Sequence, residues 1–411
     1  MFEKPTIAGF NWAGNGRLGR MTTNDWIFGT EASVIITATR DQLTSNLSLN
    51  KLLTDLRKEL SPDLASQAIE MAQLQIAARK KFSSPEGMFF TRKGLEQSTS
   101  EAVAHYKAGL IEEGLTVADA CCGIGGDSMA LAASHRTVAI ELDWNMARIA
   151  NHNLADRKCE NVLVVQADFN RFDFTPFGFV HVDPDRRPGK SRTTQAEYSD
   201  PPWKIIAERL GNQFAAVKLA PATILDEFST QVHRQWIGSG RECREQLAWF
   251  NSPVWAAGGK TATVVDGSGS DHESITGNSD DQPGICETPS PGEFLFEPHS
   301  AVFAAGLDGT LAVRQSLERL SNDSPYLIGS QPIQSRLFQG FEIQHVDSLD
   351  RKRMSSAFRD LDVGNIEWKQ RGLEPSTFNS VSKMRGPGSN GSTVVLFRID
   401  RSLNFAICRR I

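Results

Sequence analysis

Residues 117–127 read Val-Ala-Asp-Ala-Cys-Cys-Gly-Ile-Gly-Gly-Asp, and this stretch decides the fold. It predicts an apolar strand that runs into a glycine-rich turn, followed by a helix over residues 128–133. A second apolar strand, residues 137–140, leads to Glu141, which stands twenty-two positions after Asp119. Glycine lets the backbone approach a ligand that a Cβ would exclude, and an acid at the second strand end suits a ribose diol. Together these features indicate a nucleotide-binding α/β unit.

The composition of the turn favours one class of nucleotide over another. A dinucleotide fingerprint reads G-x-G-x-x-G, whereas the pattern here is Asp119-x-Cys121-x-Gly123-x-Gly125-Gly126. A carboxylate at Asp119 would repel a pyrophosphate but attract a cation, such as the amino group of a methionyl moiety beside a sulfonium. The sequence G-x-x-x-x-G-K-[S/T] does not occur in the chain, which excludes a phosphate-binding loop of that type. The alternative is a glycine turn in an α/β protein that binds no nucleotide.

Acids also follow the next two predicted strands. Asp168 comes after the predicted strand 161–166, where a carboxylate can accept a hydrogen bond from an adenine amino group; a helix or turn cap is the alternative. The predicted strand 178–183 ends at Asp183, and Pro184 restrains Asp183 to an extended conformation. Because ligands bind at the carboxyl edge of open α/β sheets, both acids are expected at the cleft.

Two basic residues are predicted at the same edge. Arg186 lies in the run Asp-Pro-Asp-Arg-Arg-Pro of residues 183–188, and its planar guanidinium suits a phosphate. The alternative is that Arg186 pairs with a nearby acid and braces the loop. Lys218 lies in the predicted strand 214–219, near its end, where it would meet the substrate or Asp183.

Candidates away from these strand ends are weaker. Thr91 and Gln97 precede the sheet and could reach a bound cofactor, whereas His181 lies in an apolar strand and is predicted to be a hydrogen-bonded core residue. The loop Asp200-Pro201-Pro202-Trp203 resembles the [DNS]-P-P-[YFW] loop of amino-methylating enzymes. It does not directly follow the fourth strand, so the start of a helix over 202–210 is favoured, although its tryptophan could still flank the pocket.

Alternating strands and helices predict the α/β class with a doubly wound, mostly parallel sheet. The predicted strands of this sheet are 117–121, 137–141, 161–166, 178–183 and 214–219, with 246–250 and 261–265 as an antiparallel pair at its edge. Helices are predicted over 47–82, with a break at Ser61-Pro62-Asp63, and over 96–113. Near the C-terminus, the strand-like runs are 341–346, 364–369, 393–399 and 403–408.

These elements predict a chain of several segments. The predicted segments are an extension of uncertain status (1–24), an N-terminal helical region (25–115), a cofactor-binding domain (116–266), an acidic flexible linker (267–292) and a small α+β domain (293–411). Residues 261–293 hold seven acids and no Lys or Arg, in a Gly-, Ser- and Pro-rich stretch that cannot build a core. Residues 351–411 hold twelve Lys and Arg against five Asp and Glu, which is compatible with nucleic acid or simply with a solvated face.

Bulk composition limits the class of protein. A hydrophobic content of 40% and a charged content of 23% are ordinary for a globular chain of 411 residues. No apolar run approaches the ~20 residues of a membrane helix, and no signal peptide is recognisable. The six cysteines and eight histidines show no metal-ligand spacing. Reduced thiols in a cytoplasmic protein without a membrane partner are the expectation.

The motifs taken together resemble a known family. Asp119-Ala-Cys-Cys-Gly-Ile-Gly-Gly, Glu141, Asp168 and Asp183-Pro184 resemble motifs I to IV of the class I S-adenosylmethionine-dependent methyltransferases. Met-Phe-Phe-Thr ahead of the sheet and the D-x-x-C-G-x-G-G turn resemble the trimethylguanosine synthase branch. That branch has Ser-Pro-Pro-Trp after the fourth strand, where this chain has Asp-Pro-Asp-Arg.

Four stretches are similar to bacterial methyltransferases with a C-terminal THUMP-like domain. They are Phe89-Phe90-Thr91 with residues 95–99, then residues 183–187, 217–221 and 294–298. The resemblance covers residues 25–411 and implies a seven-stranded methyltransferase sheet, S-adenosylmethionine as the methyl donor, and RNA as the substrate of such RNA-modifying enzymes.

The resemblance also implies roles for the candidate residues. Asp119 and the turn 123–126, with Gly123, Gly125 and Gly126, would hold the methionyl part of the cofactor; Glu141 would hold its ribose and Asp168 its adenine. Thr91 and Cys121 would also contact the cofactor. Asp183, on a loop restrained by Pro184, would orient or deprotonate the acceptor, and Arg186 would hold a substrate phosphate. The alternatives are a small-molecule or protein methyltransferase, and a non-catalytic RNA-binding protein that retains the fold.

Overall fold

The computed structural model describes residues 23–45, 47–185, 196–225, 231–277, 281–286, 288–321, 324–371, 373–399 and 401–411. It divides into two compact units after Glu96. No described helix combines the length and the apolar character that crossing a bilayer requires.

The first unit is helical. After a 3-10 helix over Thr23–Phe28, its helices are α1 (Thr30–Thr44), α2 (Leu49–Leu56), α3 (Pro62–Ala78) and α4 (Arg92–Gln97), which ends at the division. The predicted break before α3 is confirmed, because the Ser61 side chain caps Leu64 N and Pro62 occupies the first turn. Arg40 of α1 is buried and donates to the Gln75 side chain of α3 at 2.8 Å.

The second unit contains two sheets. The first sheet uses β1 (Thr116–Ala120), β2 (Arg136–Glu141), β3 (Val162–Gln166), β4 (Phe179–Val182), β5 (Ala215–Leu219), β6 (His233–Ser239), β7 (Glu242–Phe250), β8 (Lys260–Val265) and β9 (His272–Gly277). Around it lie α5 (Glu101–Ala108), α6 (Gly126–Ser134), α7 (Trp144–Asp156) and α8 (Trp203–Leu210). The strand order is β3-β2-β1-β4-β5-β7-β6-β8-β9.

This order confirms the α/β class and corrects the sheet. The strands β3-β2-β1-β4-β5 are parallel as predicted, but the sheet has nine strands and is mixed, because β7 runs antiparallel to both β5 and β6. The late strands β7 and β8 are not neighbours, since β6 lies between them and pairs in parallel with β8. The prediction missed β6 because its buried face carries Gln235, whose amide bonds Tyr106 and Thr263.

The predicted linker 267–292 also differs from the structure. Residues 272–277 form β9, which pairs antiparallel with β8. The carboxylate of Glu273 accepts from Ser335 Oγ at 2.9 Å and from Arg336 N at 2.7 Å, and Arg336 also pairs with Asp271. Partners about sixty residues away therefore compensate acids that look unpaired in the local sequence.

The strand-like runs predicted near the C-terminus lie in the second sheet, which belongs to the same compact unit as the first sheet. Its strands are β10 (Phe294–Pro298), β11 (Glu318–Arg319), β12 (Leu327–Gly329), β13 (Phe338–Ser348), β14 (Val363–Gln370), β15 (Asn390–Ile399) and β16 (Ser402–Arg410), in the order β11-β12-β10-β13-β16-β15-β14. Its helices are α9 (Ser300–Ala305), α10 (Asp308–Arg314), α11 (Arg351–Asp360) and α12 (Pro375–Val381).

A shared core explains why both sheets belong to one compact unit. Trp236 of β6 and Val264 of β8 are buried in one cluster with Phe296 of β10 and Val302 of α9. On the opposite face of the first sheet, α5 packs on α6, and Val103 lies in a cluster that includes Ile237 of β6 and Val265 of β8. The helix α5 therefore belongs with the sheet rather than with the helical region 25–115, in which the sequence prediction placed it.

Candidate active site

The turn between β1 and α6 is held by left-handed backbone conformations. Cys121, Gly123 and Gly125 have φ angles of 59°, 55° and 87°. A Cβ on Gly125 would lie 3.5 Å from Leu154 and 3.6 Å from Ala150, so that side of the turn packs on α7. A Cβ on Gly123 would meet no atom of the described residues within 4 Å. The turn therefore presents open backbone on one side and is supported on the other.

Glu141, at the end of β2, is bonded to this turn. Its carboxylate accepts from Gly123 N at 2.9 Å and from Asp143 N at 3.0 Å. Burial raises the pKa of Glu141, while these backbone hydrogen bonds act in the opposite direction. The side chain remains partly exposed at the carboxyl edge of the sheet, where it can also meet a ligand.

Asp168 lies just beyond the carboxyl end of the neighbouring strand β3. Its Oδ1 accepts from Asn170 N at 2.8 Å and from Asn170 Nδ2 at 3.0 Å, which is the turn cap that the sequence offered as the alternative. Its Oδ2 lies 4.0 Å from Arg171 Nε, and a third of the side chain, 34%, is exposed. The cap therefore leaves part of the carboxylate available.

Asp119, at the end of β1, is fully buried at 0% exposure. Its Oδ1 lies 2.7 Å from His181 Nδ1, and its Oδ2 accepts from Ser128 Oγ at the start of α6. The two strands are in register here, with Asp119 directly opposite His181. Both oxygens are thus used inside the protein, and the residue holds β1, β4 and α6 together; a contact of Asp119 with the cofactor stays a prediction.

His181 is the hydrogen-bonded core residue that the sequence predicted. Burial alone would lower the pKa of its imidazole, but the carboxylates of Asp127 and Asp119 outweigh burial and the charge of Lys107, and the pKa is raised. The protonated ring is therefore favoured, and its partner Asp119 is compensated in the interior.

Asp183 lies just past the end of β4 and is paired with Lys218. Lys218 Nζ donates to Asp183 Oδ2 at 2.6 Å, to Thr99 Oγ1 at 2.9 Å and to Gln97 O at 3.2 Å. Lys218 is 3% exposed, whereas the Asp183 side chain is 21% exposed. The prediction that Lys218 meets Asp183 is confirmed, and the carboxylate stands at the open end of the pair.

Two proline loops that are separated in sequence lie side by side at this edge. Asp185 N donates to Asp200 O at 2.8 Å, and Asp200 N donates to Asp185 O at 2.9 Å. The loop Asp200-Pro201-Pro202-Trp203 thus adjoins Asp183-Pro184-Asp185, although it does not follow the same strand. Trp203 itself is 1% exposed and stacks on Phe250 in the core, so it does not flank the pocket.

A buried charge cluster behind the site was not predicted. Lys107 Nζ lies 2.7 Å from Asp127 Oδ1 and 2.8 Å from Glu245 Oε1. The Thr99 hydroxyl donates to Asp127 Oδ2 at 2.7 Å and accepts from Lys218, which links this cluster to Asp183. The available signal was Lys107 at helical spacing from the apolar residues Val103 and Ala104 of α5, since an isolated charge on a buried face requires a partner.

Comparisons with known proteins show what the chain is similar to. No protein-family model matches the chain. The chain is 28% identical, over 323 residues, to an uncharacterised S-adenosylmethionine-dependent methyltransferase of Mycobacterium tuberculosis, in each of two strains, across 75% of this chain and 84% of the relative. A solved structure of a candidate methyltransferase from Porphyromonas gingivalis W83 superimposes with a TM-score of 0.72 at 20% identity, covering 92% of this chain and 98% of that one.

The chain has the fold of the class I methyltransferases. The predicted fold family is confirmed at this level. In this methyltransferase fold, Glu141, Asp168 and Asp183 stand at or just beyond the carboxyl ends of β2, β3 and β4, and β1 and β4 flank the point where the strand order reverses. That is where open α/β sheets bind ligands.

Carboxylates surround the turn between β1 and α6. Burial raises the pKa of the Cys121 thiol well above its usual range, and the carboxylates of Glu141, Asp183, Asp119 and Asp200 raise it further. The thiol is therefore protonated at neutral pH and is not a nucleophile. The same carboxylates create a negative potential that suits a cationic ligand.

For two of the predicted site residues, the structure gives no contact with this site. Thr91 belongs to the first unit, where its hydroxyl accepts from Gly94 N at 2.9 Å and caps α4. Arg186 lies in 186–195, outside the described residues. Contact of Thr91 with a cofactor and of Arg186 with a phosphate remain predictions.

Proposed function

We propose that the chain is an S-adenosylmethionine-dependent methyltransferase that acts on RNA. The observation that carries the methyl-transfer part is the open backbone at Gly123, bordered by the partly exposed carboxylates of Glu141 and Asp183. Both mycobacterial relatives carry this enzyme class and this cofactor in their names. When bound, S-adenosylmethionine supplies an electrophilic methyl group on a sulfonium.

The residues at the turn fit such a cofactor. A nucleoside with a cationic amino-acid side chain needs close backbone approach, negative potential and a hydrogen-bond acceptor for a ribose. Gly123 leaves room for the approach, and Glu141 is both fixed by the turn and partly exposed. Asp168, one strand further along, would accept from an adenine amino group through the part of its carboxylate that Asn170 leaves available.

Asp183 is the residue proposed to meet the acceptor. Among the described residues, Lys218 is its only hydrogen-bond partner through the carboxylate, and Lys218 uses only Oδ2. The second oxygen is therefore available to orient an acceptor N–H or O–H, or to hold its proton. Lys218 is itself fixed by Thr99 and Gln97, so the carboxylate is positioned before an acceptor arrives.

The RNA part of the proposal rests on charge in the C-terminal sheet region. Residues 351–411 hold twelve Lys and Arg against five Asp and Glu, and Arg351, Lys352 and Arg359 are exposed on α11. A basic surface in the same unit as the methyltransferase sheet provides the sequence-independent attraction to phosphates that RNA binding uses. The resemblance of this region to a THUMP-like domain is part of the same proposal, as are the cytoplasmic location and the relation to the trimethylguanosine synthase branch.

The test is tritiated methyl transfer to RNA from a deletion strain, followed by nucleoside mass spectrometry. Asp183→Ala should reduce turnover by ~10²-fold or more, the usual scale for a lost acid or base, with S-adenosylmethionine affinity within a few-fold of wild type. Glu141→Ala should weaken cofactor binding first. Asp156→Ala is the matched control, because Asp156 is an exposed acid at the end of α7. Cofactor binding without label transfer to any RNA would reject RNA as the acceptor, and full turnover by Asp183→Ala would place the acceptor site elsewhere.

A further inference from the structure

A second cleft lies between the two sheets of the second unit. It has a volume of about 560 Å³, within the range of small-molecule sites. Its walls come from the turn after β6, the end of β8, the end of β10 with the residues that follow it, the start of β13 and the end of β14. None of the residues proposed to hold the cofactor or the acceptor lines it.

Positive charge exceeds negative charge on one wall of this cleft. Arg241, Lys369, Arg371 and Glu297 line this wall. Glu367 and Arg410 extend the same cluster through ion pairs without lining the cleft, so the cluster comprises four cations and two carboxylates. Glu297 is shared, since Lys369 Nζ lies 2.6 Å from Oε2 and Arg371 Nε lies 2.8 Å from Oε1. Glu367 is shared in the same way between Arg241 and Arg410. Two positive charges of this cluster are therefore not neutralised within it.

The arginines of this wall keep donors available. Arg371 uses Nε for Glu297 and lies over the Phe303 ring at 4.9 Å, so both of its Nη groups lack an acceptor among the described residues. Arg241 uses only Nη1, at 3.2 Å from Glu367, and its side chain is 60% exposed. By contrast, the Lys369 and Glu297 side chains are each 10% exposed, so the base of the wall is fixed.

The opposite wall carries more negative than positive charge, since Arg336 lies among the carboxylates of Asp266, Asp271 and Glu273. Asp266 accepts hydrogen bonds from Ser268 and Gly269, and Arg336 is paired with Asp271. An anion would therefore be drawn toward Arg241 and Arg371, whose planar guanidinium groups match the oxygens of a phosphate.

The strand directions relate this cleft to the candidate active site. Since β7 is antiparallel to both β5 and β6, and β8 is parallel to β6, the carboxyl ends of β4, β5, β6 and β8 lie at one edge of the sheet. Asp183 follows β4, and Arg241 follows β6, three strands away in the order β4-β5-β7-β6. At ~4.8 Å per strand this separation is about 15 Å, which a few nucleotides of an extended RNA strand can span.

We propose that this cleft binds a phosphate group, carried by a nucleotide or by an RNA phosphodiester, and that Arg241 and Arg371 contact it. The site does not depend on the proposed methyl transfer, because it follows only from the charges and the shape of the cleft. If the phosphate belongs to RNA, the cleft holds the strand whose acceptor nucleotide reaches Asp183.

Binding assays with two phosphate probes test this site on the full chain. The probes are inorganic pyrophosphate, measured by calorimetry, and a fluorescein-labelled twelve-nucleotide RNA, measured by anisotropy, with a methylphosphonate oligomer of the same sequence as the uncharged comparison. For whichever probe binds the wild-type chain, we expect Arg371→Ala and Arg241→Ala each to lower the affinity by ~10-fold. For RNA, each variant should also reduce the slope of affinity against salt concentration by about one. Arg244→Ala is the matched control, because Arg244 lies in the same hairpin, pairs with Glu242 and does not line the cleft.

The outcomes separate the two sources of phosphate. Loss of pyrophosphate binding alone assigns the cleft to a small phosphorylated ligand, and loss of RNA binding alone assigns it to a phosphodiester. The proposal is overturned if neither probe binds the wild type, if the methylphosphonate oligomer binds as well as RNA, or if Arg244→Ala loses as much affinity as Arg371→Ala. Should Arg371→Ala fail to fold, Arg241→Ala decides alone, since Arg241 is well exposed and its ion pair is a surface pair.

Discussion

Lys107→Met should destabilise the second unit more than any surface substitution. The ammonium group of Lys107 lies between Asp127 at 2.7 Å and Glu245 at 2.8 Å, and the three side chains are 5%, 9% and 2% exposed. Methionine has a similar length, so packing changes little while two buried carboxylates lose their shared cation. In the variant, Asp127 still accepts a hydrogen bond from Thr99, whereas the nearest cation to Glu245 is Lys218 at 4.0 Å. Removing one partner of a buried ion pair costs about 3–5 kcal/mol, and we expect a loss in that range.

The pH dependence of this loss has a definite sign. Burial alone would raise the pKa of Asp127, but the charge of Lys107 outweighs it and holds the pKa below its usual value of 3.8. A carboxyl with a depressed pKa stabilises the fold above that value, and the stabilisation is lost as pH falls through the folded pKa. In Lys107→Met the pKa of Asp127 should rise, so the folded variant gains a proton on acidification. The difference in unfolding free energy from wild type should therefore be larger at pH 8 than at pH 5.

Urea denaturation followed by tryptophan fluorescence measures both effects. Lys107→Met combined with Asp127→Asn and Glu245→Gln should recover part of the lost stability, because no buried charge then lacks its partner. Lys204→Met is the surface control, since Lys204 is 82% exposed and only 4.0 Å from Glu208; it should change stability by less than about 0.5 kcal/mol. A loss below about 1 kcal/mol for Lys107→Met, or a difference that grows on acidification, would contradict this account of the cluster.

Two further substitutions test the turn and the strand behind it. Gly125→Val should abolish S-adenosylmethionine binding in calorimetry, because φ is 87° there and the added methyl groups would meet Leu154 of α7; unchanged binding heat would show that the turn tolerates a side chain. Because the pKa of His181 is raised in the folded state, protonation of His181 stabilises the fold; this contribution is full below pH 6.5 and is lost as pH rises through the folded pKa. His181→Gln should therefore remove this pH-dependent contribution to the free energy of unfolding. An imidazole that titrates below 6.5 in nuclear magnetic resonance spectra would count against the raised pKa of His181.

The parallel half of the first sheet could be predicted from the sequence because its signals are local. Buried parallel strands are continuous apolar runs bounded by glycine, proline and acids, and β1 to β5 fit that description. Their carboxyl ends follow from the same pattern, which is why Glu141, Asp168 and Asp183 were found as a group. The predicted count of seven strands was too low because a strand with buried polar residues, such as β6 with Gln235, does not look like an apolar run.

Non-local pairing explains the other differences. Nothing in the neighbourhood of Glu273 shows that Ser335 and Arg336 will satisfy its carboxylate, so β9 looked like part of a linker. Burial of Asp119 depends on its register opposite His181, sixty-two positions later. A strand-end acid can be identified from sequence, but whether it faces a ligand or the interior is decided by residues on the adjacent strand.

The interior polar contacts determine which variants can separate cofactor binding from acceptor binding. Asp127 and Ser128 begin the helix that follows the turn; Ser128 is bonded to Asp119, and Asp127 reaches Asp183 through Thr99 and Lys218. A substitution at any buried member of this chain would disturb both the turn and the acceptor edge, and would also destabilise the fold. Glu141 and Asp183 differ from these residues because each combines a fixed position with an exposed surface. Only at such positions can a change in affinity or turnover be read separately from a change in stability.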